Sequence, residues 1–189
     1  MHRCGTLRPT AGEDVRKIAS LLCERNAIDE KIAAVIERPV TVGHLGDWIA
    51  AQIFDIELET SAVTVAIDGR FRSGPLQGRT VNVKWYLKRE GSIDITESPA
   101  LDYYLILTGP ASAAMSSRGG RRPGCIEAVY LFDAKQLLDQ QRTRGVKTGI
   151  ASSVRSEQWT AAEIYPQANP ALSVSPEQAE LLKLFAPDQ

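Results

Sequence analysis

The chain has 189 residues, 43% of them hydrophobic and 24% charged, with a net charge of −1. A length of this order builds one domain with a sizeable core, and no apolar run approaches the roughly 20 residues of a membrane span. The N-terminal stretch lacks the apolar middle of a signal peptide, so a cytoplasmic protein without a membrane partner is expected.

Three cysteines without paired spacing (Cys4, Cys23, Cys125) argue against a disulfide framework or a zinc cluster, and two histidines (His2, His44) leave little material for a histidine-based site. Apolar periodicity predicts a pair of N-terminal helices. The first carries Val15, Ile18, Leu21 and Leu22; the second carries Ile28, Ile32, Val35 and Ile36 and stops at Pro39. A third helix is predicted over 43–57, with Leu45, Trp48, Ile49, Ile53 and Phe54 on its apolar stripe and Asp47 one position off it. The period then changes to that of strands. A β-branched run over 62–67 ends at Asp68-Gly69, a Gly- and Pro-containing turn follows, and residues 80–87 alternate cleanly. Val81, Val83, Trp85 and Leu87 point one way, and Asn82, Lys84 and Tyr86 the other.

Further strands are predicted over 102–109 and 125–132, separated by a Gly-rich loop with Arg118, Arg121 and Arg122. A helix capped by Asp133, a short strand near 146–153, a helix over 156–165 and a terminal helix opened by Ser175-Pro176 complete the chain. The three tryptophans, Trp48, Trp85 and Trp159, fall within apolar periodicity and are assigned to the core. The order predicts an α/β fold around one mixed sheet, with a helical extension over 1–40, a core over 41–168 and a tail over 169–189.

Several catalytic signatures are absent: a phosphate-binding G-x-x-x-x-G-K-[ST] loop, a G-x-G-x-x-G turn after a strand, and a G-x-S-x-G elbow. Nucleotide hydrolysis, dinucleotide redox chemistry and ester hydrolysis lose ground accordingly. Charge is uneven along the chain. Residues 61–122 hold nine Lys or Arg against five Asp or Glu, whereas residues 1–60 hold seven against ten. A basic segment suits an anionic partner such as nucleic acid.

Gly46-Asp47 near the start of a helix, Asp68 at the end of an apolar run, and Asn82-x-Lys84 on the next strand resemble the ordered motif of the PD-(D/E)XK, or restriction endonuclease-like, nucleases. The resemblance covers about residues 43–108. It implies a restriction endonuclease-like core and a Mg²⁺-dependent nuclease or nuclease-like DNA-binding protein, acting alone, as a homodimer or in a larger complex. Asp68 would be the principal Mg²⁺ ligand, with Asn82 offering an amide oxygen. Lys84 would orient water or neutralise phosphate charge, and Asp47 would hold a metal-bound water. Lys88, Arg118, Arg121 and Arg122 would contact phosphates. The chain departs from the family pattern at Asn82, where a carboxylate or glutamine is usual. Either Glu90, Asp94 or Glu97 supplies the missing acid, or catalysis is lost and DNA binding retained. The rival reading is a protein-interaction or structural subunit in which Asp68 ends a turn and Lys84 lies on a solvated strand face.

Overall fold

The computed structural model describes residues 11–59, 66–111 and 122–187. Among them five helices surround a mixed six-stranded sheet, an α/β architecture. The chain opens with a 26-residue helix α1 (Ala11–Ile36) and a second helix α2 (Val42–Phe54), then strands β1 (Ile56–Leu58), β2 (Gly69–Phe71) and β3 (Thr80–Tyr86). After a two-residue strand β4 (Ser92–Ile93) come β5 (Tyr103–Thr108), β6 (Ala128–Asp133) and helix α3 (Ala134–Thr143). The chain continues with β7 (Ser152–Ser153), α4 (Ser156–Ala162), β8 (Glu163–Tyr165) and α5 (Pro176–Lys183).

The sheet order is β1-β2-β3-β5-β6-β8. Strands β1, β2 and β3 form an antiparallel meander, β3 and β5 run parallel, and β5, β6 and β8 are antiparallel again. The parallel step needs a crossover, which the chain supplies over 87–102; on that excursion β4 pairs with β7 as a separate small ribbon.

Both faces of the sheet are covered. On one side Ile49 and Ile53 of α2, together with Leu182 of α5, pack on Val81, Val83, Leu105 and Leu107. On the other, Leu137 of α3 and Trp159 of α4 pack on Tyr104, Ile106, Tyr130 and Phe132. Double burial is why β5 reads as a continuous apolar run rather than an alternation. Trp159 lies in this second layer, edge-on to Tyr130 and Phe132 with centroids 4.7 and 5.2 Å away. Trp48 and Trp85 pack against the first layer.

Asp133 caps α3, its carboxylate accepting the Gln136 N–H at 2.7 Å, and Ser175 caps α5 through a reciprocal pair with Gln178, as their positions predict. Other expectations change. The predicted N-terminal helical pair is one helix, because the junction around Asn26 holds neither Gly nor Pro and an Arg25–Asp29 ion pair, 3.4 Å, spans it. The third helix stops at Phe54 rather than reaching residue 57. Asp55 turns left-handed (φ 53°), and Ile56–Leu58 become the edge strand. The predicted strand over 62–67 falls mainly on 60–65, outside the described residues. Asp68 directly precedes β2. The last three residues of the helix predicted over 156–165 form β8.

Candidate functional site

The start of α2 is fixed by its cap. The Thr41 hydroxyl accepts the His44 N–H at 3.2 Å, and the His44 ring meets the Pro39 carbonyl at 2.7 Å, so His44 serves the helix start. One turn further on, Gly46 faces Trp85 of β3. A Cβ at Gly46 would sit 2.8 Å from the Trp85 Cβ, closer than side-chain carbons approach one another. Only glycine lets the helix lie this near the strand, and the close approach sets Asp47 beside it.

Asp68 is held in the sheet by three contacts. Its N–H donates to the Val81 carbonyl at 2.9 Å, its carbonyl accepts the Glu59 N–H at 2.8 Å, and its carboxylate accepts the Val83 N–H at 2.7 Å. The side chain thus takes a main-chain hydrogen bond from β3 and is fixed in place. Arg38, in the segment between α1 and α2, completes the group: Nη1 lies 3.9 Å from Asp47 Oδ2 while Nη2 donates to the Glu59 carbonyl at 3.3 Å. Nothing in the sequence singles out Arg38, because an arginine beside a helix-stopping proline carries no motif of its own.

Electrostatics joins these residues into one site. Burial pushes the Asp47 carboxyl up to about 6, the charge of Asp68 adds to the rise, and Arg38, His44 and Lys84 pull against it. Burial raises the Asp68 carboxyl as well, opposed by the Val83 N–H and by the positive charges of Lys84 and Arg38. Two carboxylates from different elements therefore resist ionisation, one of them partly because of the other, and two cations act on both. Such an arrangement can hold a proton near neutral pH or accept a further positive charge.

Asn82 lies in the closed part of β3. It is 7% exposed, and its Oδ1 is sealed from solvent with no hydrogen-bond partner among the described residues. Thr80 on the same strand is equally buried, its hydroxyl donating to the Ala100 carbonyl at 2.7 Å. The polar face of β3 is roofed by the second apolar layer, so the solvated-strand reading fails for Thr80 and Asn82; Lys84, Trp85 and Tyr86 are half-buried.

The three acids considered as replacements are engaged elsewhere. Glu90 pairs with both Lys88 and Arg122, each at 3.1 Å, beside a cavity of about 300 Å³ lined also by Trp85 and Asp94. Asp94 accepts the Ala151 N–H, and Glu97 accepts from Arg142 and Thr148. Of the predicted phosphate-contacting residues, Lys88 and Arg122 thus converge on one carboxylate, while Arg118 and Arg121 lie outside the described residues. Among the described residues no cluster of three or more His, Cys, Asp and Glu is disposed to hold a metal ion, and no helix is long and apolar enough to cross a membrane. A comparison with protein-family models and with curated proteins finds no match to this chain.

Proposed function

We propose that the chain is a Mg²⁺-dependent nuclease, or a nuclease-like DNA-binding protein, of the PD-(D/E)XK type with a restriction endonuclease-like core. The observation that carries this reading is the burial of Asp47 and Asp68, the first raised further by the charge of the second, with Lys84 acting on both. Helix α2, the residue before β2, and β3 contribute these three side chains, the same chain order in which the motif has them.

A two-carboxylate site suits Mg²⁺, which commonly binds through one or two carboxylates and completes its shell with water and substrate phosphates. Asp68 and Asp47 would hold the ion. The ion would supply Lewis-acid polarisation of the scissile phosphate. The chain's own residues do the rest. Asp47 would give up its proton when the ion binds, because proton and ion compete for its oxygens, so it serves as a ligand and not as the base. Lys84 neutralises charge growing on the phosphate oxygens. Arg38 keeps Asp47 ionised enough to act. Val83 fixes Asp68 through its N–H.

The test uses the purified chain with Mg²⁺ or Mn²⁺ and both single- and double-stranded DNA. Cleavage should fall on the order of 10²-fold or more in Asp68→Ala and in Lys84→Ala. If the wild-type chain shifts DNA in a gel but leaves it intact with either metal, the enzymatic reading fails and the binding reading stands. A second reading, a protein-interaction subunit, draws on the uncovered apolar face of α1. Its mark is full partner binding after both substitutions and no DNA shift.

A further inference from the structure

Helix α1 is about 39 Å long at roughly 1.5 Å per residue, and it meets the body where its last turns reach α2. Ile36 is buried there and Ile32 half-buried, whereas residues 12–28 are all exposed. Val15, Ile18, Leu21, Leu22, Ile28 and Val35 remain 47% to 68% exposed. No described residue covers them. An apolar stripe on a helix projecting into water is not sustained by helix propensity alone; amphipathic helices gain most of their stability by packing.

The stripe repeats every seven residues. With Ile18, Arg25 and Ile32 at a, and Leu21, Ile28 and Val35 at d, the flanking g positions are Lys17, Glu24 and Lys31, and the e positions include Leu22 and Asp29. The helix as a whole carries four basic and five acidic residues, which suits neither an anionic membrane nor nucleic acid. Its charge pattern fits itself. In an antiparallel pair that sets Ile18 against the partner's Val35 and Leu21 against the partner's Ile32, Glu24 faces the partner's Lys31, and the twofold repeats that contact. Sliding by one heptad in either direction sets like charges together, Lys17 on Lys31 with Glu24 on Glu24, or Lys31 on Lys31. A parallel pair brings Glu24 against Asp29 and stacks Arg25 on Arg25. In the favoured register Arg25 meets Ile28 and leans out to Asp29 on its own helix, 3.4 Å away.

We infer that α1 is a homodimerisation helix, pairing antiparallel with α1 of a second copy through the Ile18–Val35 seam. The inference is independent of the nuclease reading.

Light scattering and sedimentation of the full chain across a concentration series test it. The expected mass is twice the 20.7 kDa of the chain. Leu21→Glu combined with Ile28→Glu, both on the exposed face, should give a monomer whose body melts unchanged. Glu24→Lys alone and Lys31→Glu alone should each weaken the dimer roughly tenfold, because two attractive contacts become repulsive, and the double exchange should restore it. A monomer at every concentration overturns the proposal, as does a dimer indifferent to Glu24→Lys. A dimer strengthened by Glu24→Lys means parallel pairing and overturns it too. A monomer with α1 amides protected from exchange puts another segment of the same chain on the stripe and likewise overturns the proposal.

Discussion

Asp47 is the residue at which structure and chemistry pull in opposite directions. Its folded-state value of about 6 lies above the ordinary 3.8, so the folded chain binds this proton more tightly than the unfolded one. The stability it contributes is full below 3.8 and is lost as the pH rises through about 6. The difference corresponds to about 3 kcal/mol at neutral pH, a large fraction of a domain's net stability. Asp47→Asn should therefore stabilise the chain by up to about 3 kcal/mol near pH 7.5 and by almost nothing near pH 4. Urea unfolding of both proteins at the two pH values checks it, and a gain of equal size at both would refute the assignment. Asn82 makes the complementary point. It adjoins Val81 and Val83, the residues that anchor Asp68, and it is closed to solvent. A carboxylate there would add a further buried charge, so a neutral amide is what this packing tolerates.

At the scale of elements, the contact that makes the site is the crossing of α2 over β3 at Gly46 and Trp85. Alanine at Gly46 would gain about 1 kcal/mol of helix propensity but force a carbon into a well-packed contact, which typically costs about 1–3 kcal/mol. The steric effect wins. Gly46→Ala should lower stability and displace Asp47, so the raised Asp47 value should fall toward 3.8 as the carboxyl gains water. Carboxyl titration by NMR reads the shift, and an unchanged Asp47 value would show that the crossing does not position it. Much of this geometry was legible in the sequence. The strand alternation over 80–87 assigned Val81 and Val83 to one face, and Asp133 and Ser175 stand where helices begin. What was not legible has a common cause. The roof over Asn82 comes from residues 93–159, so no local pattern announces it. The continuity of α1 rests on the lack of any Gly or Pro where two apolar segments suggested a break, and the Arg25–Asp29 pair merely spans that point. Arg38 joins the site only because the chain folds back from α1 to α2.

At the scale of the whole molecule, the site sits where the antiparallel meander meets the parallel step, on strands held from both faces by two apolar layers. Little of that framework can relax to separate Asp47 from Asp68. Both carboxyls resist ionisation chiefly because they are buried, and a cation that binds their ionised forms would stabilise the folded chain. Mg²⁺ binding at this pair should raise the melting temperature, following RT ln(1 + [L]/Kd) with negligible binding to the unfolded chain. The pH dependence has a definite sign. Protons and metal compete for the same oxygens, so the stabilisation should be present above about 6 and fade as the pH falls through the Asp47 value. Asp68→Asn should abolish it at every pH, whereas Lys84→Met, which removes a competing cation, should preserve or enlarge it. A calorimetric titration with Mg²⁺ in the absence of DNA separates this from catalysis. A melting temperature indifferent to millimolar Mg²⁺ and Mn²⁺ near pH 7.5, with the same chain still shifting DNA, would assign the carboxylate pair to proton binding rather than metal binding.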